Sequence, residues 1–548
     1  MDTPKEANVL EVEAQPNDDA PQSPGSSKKG LKFWLIILSL CLSIFLSALE
    51  LTAVSTALPV IIHDLQGGDF VWVGTAYSLA STAFLPLSGG VAEIFGRRIA
   101  MFFSLSTFIL GSALCGAAQN MNWLIAARAV QGLGGGGILS VVSIIMADLV
   151  PLKERGLYNG LTGMTWAVSS AIGPLVGGAL ATRGQWRWLF YLNLPICGAA
   201  LVMVTAFLKL PTPPGNLASK LGRMDWFGNL LIIASTTSIV VGLTWGGVQF
   251  AWSSAHVLAP LIVGLCGIVF FFIYEAYWAR NPIVPMSLLQ NRTSVSGYIQ
   301  TFINPIVVLA VAYYLPVYYQ ACKDATPLRS AVDMLGLSLS MGPIIIISSI
   351  SVTVLRVYRT QHWIGWAIFM VGMGIFTTLD ADAPLAHAIG LPLLLGAGAG
   401  IIYAVTYFPV LSPLPVSENA HALAFFAFCR SFAGIWGIAI GASVLQNELS
   451  RRLPPALLAE LGTGVDLSYA SIPQIPTLAQ PLKDEVRHAF GDSLVVVWQV
   501  MLGILGIGFV ASLLMRDVPM HGALDDKWAL ELEADRQSGA GEIQDELK

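Results

Sequence analysis

The sequence predicts an all-α integral membrane protein with fourteen transmembrane helices. Three observations predict it. Hydrophobic residues make up 55% of the 548-residue chain and charged residues only 11%, less than half of the roughly 25% charge of an ordinary soluble domain. The apolar residues gather in runs of the length that a spanning helix needs, about 20 residues. Those runs are centred near residues 47, 80, 108, 136, 169, 198, 236, 267, 307, 343, 370, 399, 433 and 504, and Pro or Gly inside several of them is tolerated where neighbouring helices satisfy the freed backbone groups.

Taken in order, residues 1–31 are polar, with Pro, Ser and Asp, and read as a disordered N-terminal tail. The first apolar run starts at Phe33 and is far longer than a signal-peptide core, so it reads as span one. An even number of spans puts both tails on one side. With the tails inside, the short inner loops hold eleven basic residues: Arg97, Arg98, Lys153, Arg155, Lys209, Lys220, Arg223, Arg280, Arg292, Arg356 and Arg359. The short outer loops hold four, Arg183, Arg187, Lys323 and Arg329. That asymmetry predicts cytosolic termini. It places segment 446–491 outside as a long loop and residues 516–548 inside as an acidic tail. It also puts the sequon Asn291-Arg292-Thr293 inside, where it escapes glycosylation.

Four strings carry chemistry. GGVAEIFGRR, Gly89 to Arg98, lies in the short loop between spans two and three. Gly89 and Gly96 permit a tight reversal, while Glu93, Arg97 and Arg98 sit at the membrane edge. Taken alone, this loop could equally be a basic topology anchor. Span four reads LIAARAVQGLGGGGIL, with Arg128 and Gln131 one turn apart and glycines from Gly134 to Gly137. An arginine in hydrocarbon costs at least about 2.5–3.5 kcal/mol and is usually paired, and glycines let a second helix approach closely. Span five reads AVSSAIGPLVGGAL, with Gly173-Pro174 and Gly177-Gly178 one turn apart. Span one carries LELTAVSTALP, with the acid Glu50 deep in apolar sequence.

In this order the strings resemble the major facilitator superfamily. The loop is similar to its G-x-L-A-D-x-x-G-R-R pattern, with Val91 for Leu and Glu93 for Asp. Span four is similar to its R-x-x-Q-G string, and span five to the G-P-x-x-G-G string of antiporters. LELTAVSTALP and WRWLFYLNLP, Trp186 to Pro195, resemble signatures of the fourteen-span drug–proton antiporter branch, and YYLPVYYQACKDATPLRS, Tyr313 to Ser330, resembles its fungal members. The second-half loop, Leu355 to His362, keeps Arg356 and Arg359 but lacks the G-R-R turn, which leaves a symmetric role for it in doubt. The resemblance implies two six-helix bundles, at 32–209 and 293–515, with two extra helices inserted in the linker 210–292. It implies a site at the bundle interface near the midplane, reached by alternating access.

Glu50 lies roughly 18 Å and Arg128 roughly 9 Å inward from the outer ends of their runs, by helical rise. Glu50 is therefore a candidate proton-coupling carboxylate tuned by Arg128, the alternative being a static pair. Gln131 and Arg430, the second deep cation, are candidates for the substrate cavity. Asp148 either pairs locally with Lys153 or Arg155 or, as the resemblance implies, joins the loop charges. Asp225 reads as a helix cap, and Glu275 as an acid snorkelling to the interface beside Trp278 and Arg280.

The seven histidines and six cysteines show no metal-ligand or redox spacing, so no metal or other cofactor is expected. No Gly-Lys dipeptide occurs, which argues against a nucleotide-driven pump. No nucleophile–base constellation marks an enzyme, and nothing calls for nucleic acid. The expected partners are a small organic substrate, protons and the bilayer, with the chain as a monomer in the plasma membrane. The expected activity is drug, toxin or secondary-metabolite export against protons. The alternative is a carrier for siderophores, basic amino acids or polyamines at the plasma or vacuolar membrane.

Overall fold

A computed structural model describes residues 30–65, 71–247, 250–455, 457, 472 and 475–520. Almost all of both expected tails, and much of the expected outer loop, lie outside the described residues. A helix covers every one of the fourteen expected centres. In the first half these are α1 (Leu31–Leu65), α2 (Val71–Phe95), α3 (Arg97–Gly116), α4 (Met121–Leu149), α5 (Arg155–Thr182) and α6 (Asn193–Phe207). The inserted pair is α7 (Trp226–Trp245) and α8 (Ala255–Tyr277). The second half holds α9 (Arg292–Cys322), α10 (Leu335–Leu355), α11 (Arg359–Phe376), α12 (Leu385–Val405), α13 (Asn419–Arg452) and α14 (Leu482–Leu513).

Thirteen candidate membrane spans, long and apolar enough to cross, occur among the described residues. The helix at the remaining centre is α11. It has 18 residues and opens on Arg359, Gln361 and His362, which shortens its apolar stretch. Helices enter the expected outer segment 446–491 from both ends, α13 running on to Arg452 and α14 starting at Leu482.

In the first bundle α4 packs against both α2 and α3, and α1 against α5 and α6. The glycine run of α4 makes this possible. A Cβ on Gly132 or Gly136 would collide with the α2 backbone at Tyr77 and Ser81, and one on Gly134 with the α3 backbone at Phe108. Glycine thus serves two close approaches on two faces of one helix. The second bundle pairs α10 with α12, α9 with α13 and α14, and α11 with α12 and α14. The inserted α7 and α8 pack on each other, and α7 leans on α2.

The halves meet along two seams, α5 against α10 and α2 against α13. One apolar core runs through the first bundle, the inserted pair and part of the second, and another fills the rest of the second bundle. Turns at matching places close the two halves differently. Gly96 caps α3 at φ 97°, whereas Arg356 ends α10 in the left-handed region at φ 56°. The second loop therefore does turn tightly without glycine, at a cost of about 1–2 kcal/mol for a side-chain-bearing residue.

Asp225 caps α7 as expected, its Oδ1 accepting from the Gly228 N–H at 2.9 Å. Asn291 of the sequon caps α9, accepting from the Thr293 N–H at 2.8 Å. Glu275 departs from expectation. It does not snorkel outward but is buried, because the chain after α8 folds back and the Val284 N–H points at its Oε2 from 3.5 Å.

Candidate functional site

Five helices converge on Glu50 inside the first bundle. Its Oε1 accepts from Arg128 Nη1 at 2.6 Å, and its Oε2 accepts from Asn193 Nδ2 at 2.6 Å. Glu50, Arg128, Gln131 and Asn193 are all buried. Arg128 is held three further ways. It donates to Gln131 Oε1 at 2.7 Å and to the Val73 carbonyl at 2.9 Å, and its guanidinium lies 4.5 Å from the Tyr77 ring centroid. Gln131 in turn donates to Ser112 Oγ at 2.8 Å. An ion pair taken out of water needs such additional hydrogen bonds to offset desolvation.

This arrangement has a chemical consequence. If Glu50 gained a proton, Arg128 would keep its bonds to Gln131 and Val73 and its place over Tyr77. The carboxyl can change charge while the guanidinium keeps those hydrogen bonds and its contact with the ring. The depth difference between Glu50 and Arg128 allowed a pair, and the structure makes one. Asn193, the second donor to Glu50, was not singled out in the sequence, although it sits inside the WRWLFYLNLP string.

The GGVAEIFGRR loop builds a second charge group. Arg97 Nε donates to Asp148 Oδ2 at 2.8 Å and its Nη1 donates to the Ala92 carbonyl at 3.1 Å. Asp148 thus meets Arg97 of the loop. Arg98 donates to the Thr205 carbonyl of α6 at 2.6 Å. Glu93 reaches across to the second half, its Oε2 lying 3.6 Å from His421 Nε2. Gly89 lies so close to α13 that a Cβ there would stand 2.7 Å from that of Ala424. Arg155, read from sequence only as a topology charge, is buried at the same end. It donates to the Ala147 carbonyl at 2.7 Å, to Val150 at 2.9 Å and, across the halves, to Tyr407 Oη at 3.1 Å.

In α5 the helix continues unbroken through Gly173-Pro174 and Gly177-Gly178. Gly173 lies against Thr52 of α1, and a Cβ on Gly178 would meet nothing within 4 Å. The Pro174 side chain lies outside what is described. Nearer the start of α5, Gly156 abuts the Ser349 carbonyl of α10 and Gly160 faces Ile346.

Arg430 pairs with no acid among the described residues. Its guanidinium stacks 3.8 Å from the Tyr403 centroid and 4.5 Å from that of Phe426, and it donates to the Tyr403 carbonyl at 3.1 Å. One stripe of α13 beside it is aromatic. Phe425 stacks on Phe428 at 6.2 Å, Phe428 on Phe432 at 5.4 Å, and Trp436 meets Phe432 edge-on at 6.1 Å. The Trp436 Nε1–H has no hydrogen-bond partner among the described residues.

Two packed six-helix halves, a buried ion pair in one and an aromatic wall with a desolvated arginine in the other, define a multi-pass membrane transporter. The Major Facilitator Superfamily profile matches residues 40–438, and the chain belongs to that family. It is 38% identical over 531 residues to the MFS-type efflux pump LUC4 of a Fusarium species, covering 95% of this chain and 94% of the relative. It is 39% identical over 519 residues to the efflux pump FUS6 of Gibberella moniliformis, covering 93% and 92%. It is 36% identical over 521 residues to the MFS efflux transporter aclA of Aspergillus oryzae, covering 94% of each. Among solved structures it superposes on the human organic anion transporter MFSD10 (TETRAN) with a TM-score of 0.56 at 12% identity, over 87% of this chain and 100% of that one. A likeness at that identity speaks for the fold alone.

Proposed function

We propose that this protein exports small organic molecules in exchange for protons, by alternating access between its two halves. It acts as a monomer in the plasma membrane with both termini in the cytosol. The observation that carries the reading is the Glu50–Arg128 pair at 2.6 Å, a titratable group buried in the membrane domain whose cation keeps other hydrogen bonds in either charge state. The names of the fungal relatives support export, and the basic residues of the loops support the orientation.

The alternating step uses the two seams. Arg155–Tyr407 and Glu93–His421 join the halves at the end that the charge bias places in the cytosol. Parting them opens that end, and re-forming them closes it. The Phe425–Trp436 stripe and Arg430 are the proposed substrate wall, suited to amphipathic aromatic compounds that bring apolar area and an acceptor for Arg430 or Trp436. One proton crossing 100 mV supplies about 2.3 kcal/mol, enough for roughly a fiftyfold substrate gradient.

The test is transport in everted vesicles, with and without a proton gradient, across a panel of fungal metabolites. Wild type accumulates substrate only with the gradient. Glu50→Gln reaches the membrane in normal amount but loses pH-driven accumulation. Accumulation that ignores uncouplers, or unchanged coupling in the Gln variant, refutes the reading.

A further inference from the structure

A cavity of about 240 Å³ lies between the end of α2, the segments flanking α7 and α8, and His421 of α13. It is separate from both Glu50 and the aromatic wall. Asp225 lines it, and Glu275 approaches Asp225 from α8. Asp225 Oδ1 is occupied, accepting from the Gly228 N–H at 2.9 Å and the Tyr274 hydroxyl at 3.0 Å, but Oδ2 has no hydrogen-bond partner. Glu275 Oε1 has none either.

Both oxygens lie beside Gly228. A Cβ on Gly228 would collide with Asp225 Oδ2 and stand 2.8 Å from Glu275 Oε1, so only a glycine leaves room for both. Asn229, more than nine-tenths buried and lining the same cavity, presents a third oxygen without a partner, Oδ1. Its Nδ2 is used by the Asp225 carbonyl at 2.6 Å.

The surrounding charges do not neutralise the pair. Arg223 and Arg280 line the cavity with exposed side chains, but among the described residues neither carboxylate has a salt-bridge partner. Glu93 and His421, on the other wall, face each other. Two carboxylates beside one glycine without a cation repel each other, and repulsion disfavours ionising both at once. A single proton shared at this site removes one of two like charges and turns one orphaned acceptor into a donor beside the other's bare oxygen. A metal ion fits less well. Hard cations take about six or more oxygens, whereas three are free here, and the Val284 N–H and Tyr274 O–H already aim at the carboxylates.

We propose that Asp225 and Glu275 bind one proton between them, forming a second protonation site that joins the two inserted helices. The site touches both halves. Val284, which donates to Glu275, follows Ile283, whose carbonyl lies 3.0 Å from His421 Nδ1, and Ser287 donates to Glu418 Oε2 at 2.8 Å. The proton thus holds the linker segment that bridges α8 to the second half, and it does so independently of Glu50.

The test uses the purified full chain in lipid nanodiscs. Infrared spectra of wild type should show a protonated-carboxyl C=O band that disappears on alkalinisation and is absent from Glu275→Gln. The sign for stability follows from linkage. The folded pair holds a proton that the unfolded chain releases, so wild-type thermal stability falls as pH rises from mildly acidic to mildly alkaline. Glu275→Gln and Asp225→Asn, each neutral at one partner, should flatten that fall. Matching pH slopes in wild type and both variants overturn the proposal. So does a wild-type melting temperature that rises with sodium, calcium or magnesium concentration but not in the variants, since that marks a cation site.

Discussion

Glu50 draws two donors of different kinds, and they call for different tests. Arg128 supplies charge and Asn193 supplies a neutral hydrogen bond. Arg128→Met removes the cation and leaves a buried carboxylate, at a cost of about 3–5 kcal/mol if the acid stays ionised. Asn193→Leu removes one bond to a charged acceptor, worth about 1.5–3 kcal/mol. Thermal unfolding in nanodiscs should therefore rank Arg128→Met below Asn193→Leu, with both below wild type, and a reversed order would show that Glu50 is already neutral. Much of this group was legible in the sequence, because an acid and an arginine inside apolar runs stand out by cost alone. Asn193 was not, since a buried amide costs far less than a charge and leaves a fainter mark. Glu275 was misplaced for another reason. Its neighbours Trp278 and Arg280 belong at an interface, and nothing local announces that Val284 returns to cover it.

At the scale of elements, α5 and α10 make the tightest seam between the halves. Gly156 and Gly160 bring α5 onto the α10 backbone, so Gly156→Leu should hold the helices apart, lowering transport while leaving surface expression intact. Fluorescent tagging combined with vesicle transport checks both readouts. The turn at Arg356 gives a prediction of the opposite sign. A left-handed residue with a side chain is strained, so Arg356→Gly should raise stability by up to about 1 kcal/mol, read as a higher melting temperature. Helix positions followed directly from apolar runs, but rotation about each axis did not. That is why α13 could be placed in advance whereas its aromatic stripe, Phe425, Phe428, Phe432 and Trp436, could not. The span-five string was visible as small residues, but what they pack against was not, and Gly173 lies against Thr52 of α1 in a helix that continues through the Gly-Pro step.

For the whole molecule, the halves meet across one end through the Arg155–Tyr407 hydrogen bond and the Glu93–His421 contact, so Tyr407→Phe should loosen that end. Faster labelling of a cysteine introduced at Ser349 by a membrane-impermeant reagent applied from that side would register it, and unchanged labelling would show that the seams alone hold the halves. Helix dimensions add a constraint of a different kind. α1 has 35 residues and α13 has 34, so by helical rise each is about 50 Å long. A hydrocarbon layer of about 30 Å contains neither helix upright, so each must lean or project several turns into the headgroups. α9 and α14, with 31 and 32 residues, are nearly as long, so a change of bilayer thickness would press on both halves together. Turnover in liposomes of graded acyl-chain length should therefore peak at one thickness and fall on either side of it, making lipid composition a control on this transporter in its own right.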